Sequence, residues 1–430
     1  MEEHAPAAEA SQAAEGPRAE GPRAVGQPAV SQPAVSQPGL GALSGIRLGF
    51  LYNHDALHQV AHSAPIIGQL AELHPELEIT ILSSTEAQAA LIRQQLPATI
   101  AGKIRFVELR LTGLLENLDR FARHVAPFRR VAILRSNLDV LRGFDALVVP
   151  EGTSAMLKTR FGLDQLKLIY THHGAGDRSV GFSAEVAHFD LVLVPGPKIR
   201  DRLMSLGLIR EGDYAMVGYP KFDAIGSSDA KRPPLFANDK PTVLYNPHSE
   251  PRLSSWYQMG IEVLDYFAAT PAYNLVFAPH VMLFQRRIHT SLESFTLRFR
   301  RSLPERFRSC ENIQIDLGSH RCIDMSYTLG ADIYLGDVSS QVYEFLLHPR
   351  PCIFLNAHGA QWQDDPDYLH WNCGPVLQHV AALDGALART AEDRGHYGPV
   401  QESLFAQTIE PSDTPSSRRA ALAIAAFLAR

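Results

Sequence analysis

The chain has 430 residues, 45% of them hydrophobic and 20% charged, with a formal net charge of −6. This is the composition of an ordinary globular protein, long enough for two domains with a core in each, and its acidic balance argues against a general nucleic-acid binder. Four cysteines, Cys310, Cys322, Cys352 and Cys373, include no CxxC pair, which excludes a zinc ribbon and a disulfide framework, and nowhere does the chain offer the ~20 consecutive apolar residues of a membrane helix.

Residues 1–45 contain EGPRAEGPRAVGQPAVSQPAVSQPG, a near-pentapeptide repeat of Ala, Pro, Gly, Gln and Ser that is expected to be a disordered arm. It lacks the apolar core of a signal peptide, so a cytoplasmic protein is expected. From Ile46 short apolar runs alternate with amphipathic stretches, the pattern of parallel sheets wrapped by helices. Strands are predicted at 46–51, 78–82, 104–109, 146–149, 168–171, 191–194 and 215–218, giving an N-terminal Rossmann-like domain over 46–225. The stretch 226–241, GSSDAKRPPLFANDKP, has no periodicity and reads as a linker. A second series at 243–246, 275–278, 313–317, 333–336 and 352–356 gives a C-terminal Rossmann-like domain over 242–415, and 416–430 reads as a last helix that packs back against one half. Two such halves imply a cleft between them.

Ligands of open parallel sheets sit beyond the carboxyl ends of the strands, which selects the loops to inspect. In the first half these carry Asn53 and His54, then Glu151, then the run THHGAGD with His172, His173, Gly174, Gly176 and Asp177. The two glycines let backbone approach a ligand, and a neutral imidazole there accepts a proton from an attacking hydroxyl; the same residues also suit a plain Gly-rich turn. In the second half, His280 follows a strand, placed either to neutralise a phosphate or to cap a helix. GDVSSQVYEFLLHP reads as a strand end at Gly336 and Asp337, then N-cap serines Ser339 and Ser340, then a helix bearing Val342, Phe345 and Leu346. The start of such a helix attracts an anion, although serines also simply cap helices.

His54, His58 and His62 recur every four residues and would share a helix face, but with no HExxH glutamate they read as a polar stripe. Asp364, Asp365 and Asp367 surround Pro366 in what reads as a loop, so no metal site is expected. Neither a GxxxxGK[ST] loop nor a GxGxxG turn after a strand is present, which disfavours an NTPase or dinucleotide oxidoreductase. Arg120, Arg123, Arg129, Arg130 and Arg135 form one basic cluster, and a second runs from Arg286 to Arg308. Each suits solvated helix faces paired with carboxylates, or a surface meeting anionic headgroups at the inner membrane face.

Taken together, the His173-Gly174 turn, the GYPKFD run at 218–223, a strand ending in His280, and the Asp337-Val338-Ser339-Ser340 loop followed by Arg350-Pro351-Cys352-Ile353-Phe354-Leu355 resemble a known family. The resemblance is to the CDP-glycerol glycerophosphotransferase family, the teichoic-acid-type polymerases and primases of GT-B architecture, over roughly residues 168–380. It implies a metal-independent transferase without cofactor, in which an acceptor hydroxyl attacks the distal phosphate of a CDP-alcohol. On that resemblance His173 is the base with His172 as fallback, and His280, Ser339, Ser340, Asp337 and Gly336 surround the donor diphosphate. Gly174, Gly176, Asp177, Asn53, His54 and Glu151 would then line the cleft or the side of a lipid-linked or polymeric acceptor. The chain departs from the family at HHGAGDR, at Val281 after His280, at Val338, and at Asn246-Pro247-His248-Ser249. Two further readings follow from these departures: a GT-B glycosyltransferase using a UDP- or GDP-sugar, and a noncatalytic nucleotide-binding module.

Overall fold

The computed structural model of the protein describes residues 41–53, 57–113, 128–172, 174–225, 234–291 and 296–430. His54 and His173, together with Arg120 and Arg123, lie outside the described residues.

Seven short strands make the first sheet: β1 (Arg47–Tyr52), β2 (Glu78–Ser83), β3 (Arg105–Glu108), β4 (Ala146–Val149), β5 (Lys167–Thr171), β6 (Leu191–Val194) and β7 (Tyr214–Met216). They are all parallel, in the order β3-β2-β1-β4-β5-β6-β7. The central strand β1 is buried at every position after Arg47, as a strand covered on both faces must be. One face packs Phe50, Ile67, Ile81 and Val148 around the helix Ala64–Leu73, and the other packs Leu51, Leu147, Leu168 and Val192.

The second half repeats the plan with β8 (Thr242–Asn246), β9 (Asn274–Phe277), β12 (Ile313–Ile315), β13 (Ile333–Gly336), β14 (Cys352–Leu355) and β15 (Val376–Leu377), in the order β12-β9-β8-β13-β14-β15. Both sheets therefore reverse their winding beside their first strand, at β1/β4 and at β8/β13, where crevices for ligands open. Between β9 and β12 an antiparallel hairpin, β10 (Ile288–Ser291) with β11 (Thr296–Phe299), stands apart from both sheets.

The chain end returns to the first half. The helix Thr390–Thr408 passes the start of the helix Pro197–Ser205, and Glu410 N donates to Pro195 O at 2.9 Å. The last helix, Ser416–Leu428, buries Ala420, Ala421, Ile424 and Leu428 in the core around Ala64–Leu73. Its start is held by GYPKFD: Asp223 accepts from the backbone N–H of Ser416 (3.2 Å) and Ser417 (2.5 Å), and Ser416 Oγ accepts from Tyr219 N (3.0 Å). A carboxylate at a helix start satisfies N–H groups that lack intrahelical partners. The architecture is two Rossmann-like sheets with a C-terminal helix packed back on the first, a GT-B-like fold. Among the described residues no helix is long and apolar enough to cross a membrane.

Candidate functional site

The loops beyond β5, β8, β9 and β13 meet between the two halves, and a buried ionic network joins them. Asp177, fully buried, receives Lys198 Nζ from its own half and Tyr343 OH (2.8 Å), His370 N (3.0 Å) and His370 Nδ1 (2.8 Å) from the other. Burial alone would raise its carboxyl, but the Lys198 charge and the His370 hydrogen bond outweigh that and hold it far below the ordinary carboxylate range. Asp177 thus lies in the cleft, where Tyr343 and His370 tie its carboxylate to the other half and Lys198 holds it from its own. Nearby, Arg202 Nη2 meets Asp367 Oδ1 at 2.5 Å, and Lys221 Nζ meets Glu344 Oε1 at 2.5 Å with both side chains buried. Asp367, one of the three aspartates of the QDDPDY loop, thus serves the same junction.

The network holds the loop 174–176 against the serine turn. A Cβ added to Gly176 would lie 2.9 Å from Ser340 Cβ, and one added to Gly174 would lie 3.2 Å from Ser340 Oγ, so only glycine lets the loop run this close. Ala175 and Val338 are buried in one apolar cluster there. The α-helix after the turn is only Gln341–Phe345, and Ser340 makes no side-chain cap; Ser339 Oγ accepts from Gln341 N (3.4 Å) and donates to Asn246 Oδ1 (3.1 Å). The expected pair of capping serines is corrected accordingly: Ser339 is buried and tied to β8, while Ser340 is exposed at the turn. A five-residue helix adds little dipole, so an anion here would rely on side chains and individual N–H groups.

Gly336 ends β13 packed against the ring of Tyr334. Asp337 is fully buried and accepts from His248 N (2.9 Å), Ser255 N (2.6 Å) and Ser255 Oγ (2.8 Å). Burial pushes its carboxyl up to about 6, although the N–H bonds from Ser255 and His248 pull it back. Asp337 therefore shapes the loop 248–255 instead of facing a phosphate.

That loop also carries His248, to which no role is assigned from sequence. His248 is buried; its Nδ1 accepts from Glu250 N at 2.9 Å, and its Nε2 lies 3.0 Å from Arg178 Nη1 of the first half. Burial, then the neighbouring Arg178 and His280, lower its pKa well below the ordinary histidine value, so the ring is neutral. A neutral imidazole has one acceptor nitrogen, and Nδ1 uses it; Nε2 carries the proton and confronts a guanidinium that also donates. His280 repeats the arrangement. Its Nδ1 accepts from Met282 N at 3.3 Å, which is the helix cap left open by the sequence, and its backbone N–H donates to Pro247 O at 3.0 Å. The rings of His248 and His280 are 5.3 Å apart, and His58 of the first half meets His280 edge-on at 5.5 Å. Three histidines and one arginine thus converge from both halves.

His58 and His62 sit on a 3-10 helix, Leu57–His62, where residues four apart point in different directions. His58 turns to His280 and His62 to Tyr219 (5.3 Å), which removes the single polar stripe expected of them. His172 lines a pocket of the first half with His62, Leu193, Val217 and Tyr219. Glu151 caps the turn after β4, accepting from Thr153 N (2.8 Å) and Ser154 Oγ (2.7 Å), with Arg130 at 3.9 Å. Asn53, fully buried just past the end of β1, has both amide atoms without a hydrogen-bond partner among the described residues. Such a group costs about 1–3 kcal/mol unless something pairs with it. Among the described residues no three His, Cys, Asp or Glu side chains are grouped to hold a metal ion.

The sequence matches no protein-family model and no curated protein. Solved structures do resemble the fold. The wall teichoic acid polymerase TagF superposes with a TM-score of 0.55 at 13% identity, covering 89% of this chain and 88% of that one. UDP-GlcNAc 2-epimerase from Neisseria meningitidis bound to UDP-GlcNAc gives 0.55 at 13% identity, over 88% of this chain and 98% of that one. A putative UDP-N-acetylglucosamine 2-epimerase from Listeria monocytogenes gives 0.54 at 12% identity, over 86% and 93%. The shared property is the GT-B-like fold, common to a polymerase and to epimerases.

Proposed function

We propose that the protein is a transferase that takes a nucleotide-linked donor into the crevice between its halves, with a CDP-alcohol such as CDP-glycerol as the donor and a lipid-linked or polymeric alcohol as acceptor. The observation that carries this reading is the convergence of Arg178, His248 and His280 from both halves: Arg178 Nη1 lies 3.0 Å from His248 Nε2, and the rings of His248 and His280 are 5.3 Å apart. A diphosphate oxygen placed at this convergence would gain charge-assisted hydrogen bonds from both halves. Ser340 and the loop 174–176 border the same place. A structure of the wall teichoic acid polymerase with CDPG among the neighbours supports a CDP-linked donor for this chain.

In the proposed reaction the acceptor oxygen forms a bond to the distal phosphorus of the donor, and the bond from that phosphorus to the CMP oxygen breaks. CMP leaves, the acceptor proton passes to a base, and the transferred group ends as a phosphodiester. His173 is the proposed base, with His172 beside it, and Arg178, His248 and His280 would bear the charge developing on the bridging and departing oxygens. Asn53 is proposed to meet the acceptor, since a buried amide unpaired among the described residues, at a sheet's switch point, suits a polar substrate group. A UDP-sugar enzyme is the second reading, favoured by the UDP-GlcNAc-bound neighbour.

Incubation with a panel of nucleotide-linked alcohols and sugars, with CMP, UMP and UDP release as readouts, tests the reading. CMP release is expected from a CDP-alcohol only. His173→Ala should lower it by ~10²- to 10⁴-fold while CDP still raises the melting temperature. Release of UMP or UDP from a UDP-sugar would move the protein to the second reading, and no release with undiminished nucleotide binding would make it a noncatalytic module.

A further inference from the structure

The loop beyond β14 carries aromatic side chains to which the proposed reaction gives no part. Trp371, buried, lies against Phe354 of β14 with the rings 6.5 Å apart, and its Nε1–H donates to the carbonyl oxygen of Asp337 at 3.1 Å. His370 Nε2 lies 3.1 Å from the same oxygen. Trp371 is thereby fixed to the start of the serine turn. Against it stand Tyr368, with ring centres 4.8 Å apart, and Trp362, at 6.0 Å, both edge-on and both partly exposed. The three rings form a wall with a fixed back and an open front.

The wall belongs to the crevice. Asp367 accepts from the backbone N–H of Ser179 at 3.2 Å, so the residues beside that bond, Tyr368 and Arg178, are neighbours across the two halves. Burial raises the Tyr368 phenol above its ordinary pKa, Asp365 and Asp367 add to the rise, and Arg178 and Arg252 oppose it, so the group stays protonated. Neither its hydroxyl nor the Nε1–H of Trp362 makes a hydrogen bond among the described residues. Sheet order fixes which part of a donor the wall meets. Across the carboxyl ends His280 follows β9, His248 follows β8, Ser340 follows β13 and the wall follows β14. Neighbouring strands are about 4.8 Å apart, so the wall rises about 10 Å along the sheet from His248, on the side away from His280. The loop 174–176, which leads on from His172, packs against Ser340 between the two. A diphosphate at Arg178 and His248 whose reacting phosphorus faces that loop points its transferred group at the wall and its nucleoside toward β9 and β12.

We propose that Tyr368 and Trp362 bind the group that the donor transfers and select one that is polyhydroxylated, a polyol or a sugar. The ring faces cover its C–H surface, while the Tyr368 hydroxyl and Trp362 Nε1–H donate to its hydroxyl oxygens, the combination of apolar body and polar tip that these side chains offer. A group without hydroxyls leaves both tips unpaired. A cationic group such as choline, which aromatic faces attract, is repelled by Arg178 and Arg252 beside Tyr368. The inference rests on the crevice taking a nucleotide-linked donor, and it holds for a CDP-alcohol and for a UDP-sugar alike.

Isothermal titration of CDP, CDP-glycerol, CDP-choline, UDP and UDP-glucose into the full chain tests this, in the wild type, in Tyr368→Ala combined with Trp362→Ala, and in Tyr368→Phe. The free nucleotide that binds the wild type is expected to bind all three proteins equally. Its polyol or sugar conjugate should bind the double variant at least about tenfold more weakly, for two lost ring contacts. Tyr368→Phe keeps the packing on Trp371, so it reads the hydroxyl alone in a folded protein, with an expected loss of about fivefold. An unchanged affinity for the conjugate in either variant overturns the proposal. An equal loss for free nucleotide and conjugate assigns the wall to the nucleoside and overturns it too, as does tighter binding of CDP-choline than of CDP-glycerol by the wild type. A wild type that binds no nucleotide overturns the reading of the crevice itself, and this inference with it.

Discussion

His248 and Asp337 are adjacent in the same buried corner and titrate in opposite senses. Burial keeps His248 neutral, which fixes its tautomer through Glu250 and aims Nε2–H at the crevice. Burial also raises Asp337 to about 6, and here the linkage has a definite sign. Its folded pKa lies above the unfolded value, so the folded state binds more protons in between. Its contribution to stability is complete below about pH 4 and is lost as pH rises to about 6, a change on the order of 2–3 kcal/mol. In Asp337→Asn an amide replaces an acceptor of three hydrogen bonds and lowers stability throughout. The slope, however, should disappear between about pH 4 and pH 6 relative to the parent, as measured by urea unfolding at each pH. Equal slopes in the two proteins contradict the assignment. Asp177 acts lower on the scale: its depressed pKa gives stability that is present above the ordinary carboxylate range and lost only as pH falls below it.

None of the residues that gather the site could be given these roles from sequence, because each role depends on a partner in the other half. His248 sits in an inspected loop, yet nothing local shows that its Nδ1 is spent on Glu250 or that Arg178 stands opposite. Asp177 lies in an inspected loop too, but Lys198, Tyr343 and His370, which hold its carboxylate, are distant in the chain.

At the scale of elements, the strands of both sheets were legible because buried parallel strands are continuous apolar runs, as in LGFLY of β1 and CIFL of β14. The hairpin was not, since IHTS and TLRF are short, partly charged and exposed, with no core to impose a pattern. β15, two residues long, offers too little sequence to show periodicity. The turn at Ser339-Ser340 was located correctly but its helix was expected to be longer than Gln341–Phe345.

What the turn does depends on the loop packed against it. Gly176→Ala would drive a methyl to 2.9 Å from Ser340 Cβ, and such overpacking typically costs about 1–3 kcal/mol. Ser340→Gly removes the opposing atom, so the double variant should recover most of that loss in denaturant unfolding. A positive coupling between the two sites is expected, and strict additivity would show that they do not touch in solution.

Across the whole molecule, two Rossmann-like halves are held by ionic contacts between them and by a chain end that crosses back to the first sheet. This fixes the distance between Arg178 and the histidines of the second half, so a ligand meets a preformed set of donors and little ordering remains to oppose binding. The same rigidity makes the crevice the place where the account is most exposed to test. Isothermal titration of CDP into the wild-type protein and into Arg178→Ala, with melting curves to show that both are folded, addresses it directly. CDP is expected to bind the wild type and to bind Arg178→Ala at least about tenfold more weakly, the loss of one charge-assisted contact to phosphate. Equal affinity in the two proteins, or no binding of CDP, UDP or GDP by the wild type, would contradict a diphosphate held between the halves.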